Sequence, residues 1–414
     1  MLNGAMYHEC IHSGENIMNQ KDITLQYTFI QTTFWMGFAA ISAFASVYLL
    51  SMGISNSVIG LVISLGAMAS AVLQPVVGNL VDNHPKVTLK KVMSTAAAFA
   101  VIIAMLLYPF AKASAMVIAV LYGMLILIIQ FGQPFSNAIG MAGQNARYKL
   151  LFGPARALGS LGYALVAYLL GIVTVKMGPH IVPLFVAVIF LVHFLSVVIF
   201  PVNEKQEVKV SPEESQEQNS KSTTVIGFLK KYKSFLIMLI GLVFIYFSHV
   251  VLNSFALQII TPRGGTSANM GTATAISAGI ELVPMIFFPV IRKKVKINHM
   301  LRLSVMFFTL KVLFTYLADN VIEYYAAQAF QMLGWGVMAV AIVYFVNENI
   351  SEHDQAQGQA FAGMALTVGN VIGGLFGGVI IDAAGINALL LTALASGTIG
   401  TAIFWLGIGR SEKE

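Results

Sequence analysis

Apolar residues run through this chain in long unbroken stretches, without the alternation of a half-buried strand or the one-sided stripe of a soluble helix. Twelve stretches reach about 18 residues or more, the length that crosses a bilayer as a helix. They are about Tyr27–Leu50, Ser57–Val81, Val92–Phe110, Ala115–Ile139, Phe152–Val175, Ile181–Pro201, Ser234–Ile260, Ala268–Ile291, Leu301–Ala318, Val321–Val346, Ala356–Ile381 and Ile386–Ile408. The predicted fold class is an all-α membrane protein of twelve transmembrane helices. The first stretch has full membrane length and follows no basic n-region, so it reads as a retained span and not as a removable signal.

Polar punctuation divides the spans six and six. After the sixth the chain leaves the apolar regime, with KQEVKVSPEESQEQNSKSTT at the centre of the break. A segment so rich in Glu, Gln, Ser and Lys buries no core and reads as a flexible linker. The expected organisation is an N-terminal segment (1–26), a six-helix bundle (27–201), a linker (202–233), a second six-helix bundle (234–408) and a tail (409–414). Within the linker, TVIGFLKKYKS is short, apolar and then basic, as an interfacial lead-in to the seventh span would be. A faint repeat relates the halves: QPVVGNLVDNHPKVTLKKV leaves the second span and FFPVIRKKVKINHMLRLSV the eighth. Parallel halves of this kind are a transporter pattern.

Composition agrees, with 57% of 414 residues hydrophobic, 10% charged and a mean hydropathy of +0.79, far from a soluble domain. The net charge of +6 is not a nucleic-acid signal, because the basic residues collect in the even-numbered connections and the termini. The odd-numbered connections carry only Lys112, Lys176 and Arg263. The positive-inside rule then places both termini in the cytoplasm of a multi-pass cell-membrane protein. Met1–Ile17 reads unlike the rest, and Met18 is an expected alternative translation start. Cys10, the only cysteine, lies in that piece, so no intrachain disulfide or thiolate metal site is expected. The chain shows no phosphate loop, metal-spaced His/Cys/Asp cluster or nucleophile elbow, which argues against an enzyme.

Glu281 and Lys311 sit near the middle of apolar runs and Arg156 a short way inside a third, while nearly every other charge lies outside such runs. A charge at membrane depth costs about 2.5–3.5 kcal/mol on insertion scales and normally faces a bundle interior or a water-filled path. By residue count Glu281 and Lys311 lie at similar depth, so they are expected to pair, either as a structural ion pair or as a site that loads and releases a proton. His193 and His249 read as packing residues, with His249 the one placed to titrate.

The turn GNLVDNHPK, from Gly78 to Lys86, resembles the loop motif of the major facilitator superfamily, with Asn83, His84 and Pro85 departing from its pattern. The resemblance implies two pseudo-symmetric six-helix bundles, with Gly78, Asp82 and Lys86 gating the cytoplasmic side. Within that superfamily TTFWMGF, LQPVVGNLVD and FGPARALGSLGYA are similar to segments of the oligosaccharide:proton symporter family. By that likeness Arg156 is a sugar-binding arginine, Tyr163 an aromatic stacking on the sugar, Glu281 the carboxylate linking sugar and proton, and Lys311 a residue of proton handling. Two departures stand out, covering three family positions. The helix-10 histidine and glutamate correspond to Gln331 and Gly334, and the helix-4 glutamate to Ala138 or Asn137. Asn137 and Gln331 remain candidate sugar ligands, each alternatively an interhelical polar contact. With no acid on the fourth span, Arg156 is free to reach Glu281 across the cavity.

The expected function is secondary active transport of a small polar solute, a sugar or oligosaccharide, by proton symport with alternating access. The coupling ion is the proton, there is no other cofactor, and the monomer is the working unit in the lipid bilayer. The alternatives are acidic-sugar or nucleoside uptake, efflux of amphipathic compounds and, from a different class, a membrane enzyme or sensor scaffold.

Overall fold

In the computed structural model residues 22–84, 86–108, 114–145, 148–201 and 225–411 are described. The expectations for residues 1–17, most of the linker and the last three residues lie outside them. Twelve spans follow. The first, α1, is bent by 43° and runs as Thr24–Phe38, a π-helical Ala39–Ala43 and Ala45–Ser51. Then come α2 (Asn56–Asn83), α3 (Leu89–Leu107), α4 (Ala115–Asn145), α5 (Phe152–Met177) and α6 (Val182–Ile199). The second half has α7 (Lys233–Ser254), α8 (Ser267–Ile280 and Leu282–Arg292), α9 (Ile297–Leu317) and α10 (Val321–Gln328, Ala329–Gln331 and Trp335–Asn349). The last helix, Gln355–Ser411, has 57 residues, far more than the ~20 one crossing needs. Gly385 breaks it with a φ of 81°, a left-handed conformation natural to glycine, dividing it into α11 (355–384) and α12 (386–411).

The two halves repeat one packing scheme. In the first, α1 lies on α5, α2 on α4 and α3 on α6. In the second, α8 lies on α10, Gly369 of α11 sits against Tyr246 of α7, and Thr309 of α9 bonds Thr401 of α12. This is the arrangement expected of two pseudo-symmetric bundles. The short helix Val225–Lys231 enters the second half, held where Lys231 Nζ and Tyr232 OH donate to the buried Asp354 at 2.8 and 2.9 Å.

Among the described residues the contacts between the halves gather at one end. One apolar cluster crosses the seam, joining Phe44, Tyr48 and Leu49 with Phe255, Ile259 and Ile260. The other two clusters each stay within one half, toward the end that bears the basic turns. The closed end, here called outer, brings backbones together through glycine. A Cβ on Gly60 of α2 or Gly378 of α11 would strike backbone: Gly60 faces Gly374 of α11, and Gly378 faces Asn56 of α2. Between α5 and α8, a Cβ on Gly171 would lie 3.2 Å from Gly271 Cα. Such small-residue surfaces allow close helix approach in lipid, where apolar burial gives no net drive between helices. Polar bonds add to the seam: Ser64 Oγ donates to Val371 O at 2.7 Å, Ser46 Oγ to Ser254 O at 2.6 Å and Thr174 Oγ1 to Ser267 Oγ at 2.9 Å. At its rim Asp382 of α11 caps the start of α2. One carboxylate oxygen accepts from Asn56 Nδ2 at 2.8 Å, the other from Ser57 N at 2.7 Å and Ser57 Oγ at 2.6 Å.

Candidate functional site

Two discontinuous helices build the site. In α8 the helix is interrupted at Glu281. Pro284 explains the break, since it offers no N–H to the carbonyl of Ile280. In α10 the turn Ala329–Gln331 is 3₁₀ and helix resumes only after Gly334. The breaks face each other because Gly336 has no side chain: a Cβ there would lie 2.7 Å from Pro284 Cγ and 2.8 Å from Glu281 O. Broken helices near mid-membrane are common where transporters bind their cargo.

Between the halves lies a cavity of about 290 Å³, lined by Arg156, Tyr163, Glu281 and Gln331 together with Trp35, Gln130, Gln133, His249, Asn253, Trp335 and Asn370. Four of the predicted ligands therefore come together. Glu281 is the one carboxylate among the described residues that line it. The guanidinium of Arg156 lies over the Trp35 ring, 4.2 Å from its centroid, a cation–π contact that fixes its plane. Trp35 Nε1 donates in turn to Gln31 Oε1 at 3.2 Å. Across the cavity the His249 ring stacks on Trp335 with centroids 5.0 Å apart and a 4° interplanar angle, while Asn253 Nδ2 meets His249 Nε2 at 3.1 Å. Tyr163 packs its ring 6.5 Å from Phe38 at the cavity wall.

The expected direct pair between Glu281 and Lys311 is replaced by a relay. Lys311 is buried and donates from Nζ to Gln331 Oε1 at 2.8 Å; Gln331 Nε2 donates to a Glu281 carboxylate oxygen at 3.3 Å. The residue count placed both charges at one depth, but an amide from α10 stands between α8 and α9. Arg156 and Glu281 share the cavity without an ion pair to each other among the described residues. His193 lies away from the site, its Nδ1 2.9 Å from Thr33 Oγ1, as a packing residue.

Asn137 is not with the other candidates. It lines an adjoining cavity of about 270 Å³ with Ser70, Gln74, Pro134 and Gly363, and its Oδ1 accepts from Gln31 Nε2 at 3.1 Å. The two cavities share Ala67, Gln130, Gln133, Leu366 and Asn370, so the space continues from the centre toward the inner end. At that end Gly78 stands in open space and Lys86 is exposed. The side chain of Asp82, at the end of α2, lies outside what is described. Sequence reasoning missed Trp35, Gln130, Gln133, Asn253, Trp335 and Asn370. The available signal was polar or indole side chains inside apolar runs, with Gln130 and Gln133 three apart on one face of α4.

A family model described as MFS_1 like family matches residues 27–391. No curated protein matches the sequence. Among solved structures, the fold is similar to that of the nucleoside transporter NupG, solved in two forms. One has a TM-score of 0.77 at 14% identity and the other 0.73 at 16%, each covering 94% of this chain and 99% of that one. It is also similar to the peptide transporter POT in complex with alafosfalin, with a TM-score of 0.68 at 12% identity over 93% of this chain and 95% of that one. At such identities the likeness is one of fold.

Proposed function

The chain belongs to the MFS_1 like family of membrane transporters, and from that premise we propose that it carries a sugar or oligosaccharide by proton symport with alternating access. The observation that carries this reading is one cavity holding a guanidinium, a single carboxylate, several amides and two indoles. Arg156 offers fixed N–H donors to ring hydroxyls. Trp35 and Trp335 offer apolar faces to the C–H side of a sugar ring. Gln130, Gln133, Asn253 and Asn370 donate and accept as the hydroxyls require.

Proton coupling is assigned to Glu281. Ionised, it accepts from Gln331, which is itself held by Lys311. Protonated, it gains a donor and loses its claim on the amide, freeing Gln331 to turn toward solute. Lys311 thus acts through Gln331 on the occupied state of the site. If proton and solute share this network, each changes the other's affinity by the same factor. In this reading the outer seam is closed and the cavities open inward, the Gly78–Lys86 turn gates the opposite state, the termini are cytoplasmic in the cell membrane, and the monomer is sufficient.

The test is solute-induced proton uptake in proteoliposomes, following a thermal-stabilisation screen of sugars, glycuronides and nucleosides at two pH values. Downhill entry of the hit should alkalinise an unbuffered exterior; flux with no pH change would remove the proton from the cycle. A second reading, nucleoside transport, is favoured by the parallel His249–Trp335 stack beside the cavity, a surface suited to a planar base, and by the named cargo of the NupG neighbours.

A further inference from the structure

Another concave space lies apart from the central cavity. It is an apolar groove of about 550 Å³ on the membrane-facing side of the first half. Both α2 and α3 pack along α4, but they barely touch each other, so a trough opens between them with α4 as its floor. Leu73, Val77 and Leu80, at i, i+4 and i+7, form one wall. Phe99 and Met124 stand at its lips with half their surface exposed. Apart from Thr95, polar character is confined to one end, where Lys86 and Lys91 form the rim. Both are exposed. Lys91 Nζ donates to Lys86 O at 2.8 Å, which draws the ammonium over the groove mouth and leaves two of its three donors.

We propose that this groove is a binding site for an anionic phospholipid, with the phosphate between Lys86 and Lys91 and one acyl chain lying along α4. The charge pattern selects this occupant: a pair of cations at the membrane surface above a trough apolar but for Thr95 matches a negative headgroup above a hydrocarbon tail. The dimensions agree. From Lys91 to Ile103 the groove runs about 18 Å along α3, comparable with the ~15 Å hydrocarbon depth of one leaflet. A lipid seated there would bridge α2, whose outer half forms the seam with α11, to α3 and α4, which stay within their own bundle.

The experiment is native mass spectrometry of the full-length protein, delipidated in detergent and offered phosphatidylglycerol and phosphatidylcholine with identical acyl chains. Retention of phosphatidylglycerol should exceed that of phosphatidylcholine by on the order of tenfold, given the attraction of two basic residues for an anionic surface. Lys86→Gln with Lys91→Gln should bring the two lipids to parity, and the corresponding pair of arginine substitutions should keep the preference, separating loss of charge from loss of fold. Ala96→Phe, which fills the groove and keeps both lysines, should weaken both adducts. Equal retention by the unaltered protein, a preference that survives the double glutamine substitution, or a second protein copy in place of lipid would overturn the proposal.

Discussion

Replacing Asp382 by alanine should shift the protein away from the state with a closed outer end. The carboxylate belongs to α11 and all three of its donors to the start of α2, at 2.6–2.8 Å, so these bonds exist only while the seam is shut. Charge-assisted hydrogen bonds contribute about 1.5–3 kcal/mol each when shielded. Asp382 is exposed, which reduces each to well under 1 kcal/mol, and a negative charge at a helix N-terminus adds about 0.3–1 kcal/mol. Together they favour the closed seam by about 2 kcal/mol, a factor of about 30 in the balance between states. Hydrogen–deuterium exchange in detergent should then show faster uptake over residues 56–64 and 371–382 in Asp382→Ala than in the unaltered protein. Asp382→Asn, which keeps one acceptor, should fall between. Unchanged exchange over both segments, in a variant of normal thermal stability, would refute the latch and leave the closure to the glycine contacts, the apolar cluster and the hydroxyl bonds.

Glu281→Gln should abolish pH-driven accumulation while downhill exchange persists, measured as radiolabelled uptake with and without an imposed pH gradient. Arg156→Lys keeps the charge but not the planar fork over Trp35, and should weaken solute binding about tenfold in calorimetric titration. Gly271→Val places a side chain against Ala167 O and Gly171 Cα and should hold the outer end ajar. With Cys10 removed, a cysteine introduced at Ser254 should react faster with an impermeant maleimide in that background. Asp354→Ala removes the buried acceptor that Lys231, Tyr232 and Ser351 share and should cost about 2 kcal/mol, seen as a lower thermal midpoint.

Spans were legible because lipid demands about twenty apolar residues whatever the packing. Their internal breaks were less so. Pro284 and Gly334 were visible as letters, but only contact between α8 and α10 shows that the two interruptions coincide. Depth along a helix can be counted, which put Glu281 and Lys311 on one level. Lateral position cannot, and Gln331 therefore appeared as a sugar ligand before it appeared as the amide between two charges. Asn137 illustrates the same limit along the axis. It shares a helical face with Gln130 and Gln133, which line both cavities, yet stands two turns, about 10 Å, beyond Gln130 and lines the adjoining cavity without reaching the central one. Trp35 and Trp335 were masked by their own apolar surroundings, where an indole reads as packing.

The outer seam is made of backbone meeting backbone at Gly60 with Gly374 and at Gly171 with Gly271. Dispersion forces of this kind lose a quarter to a half of their strength over a gap of ~0.5–1 Å, whereas charges reach across several times that distance. A closure built this way has no half-open resting position: a small parting forfeits a quarter to a half of the contact attraction at once, and the charged tie at Asp382 acts only at the rim. Leakage through a partly parted mouth is thereby suppressed by the steepness of contact forces, between these backbones and among the side chains of the apolar cluster at the seam.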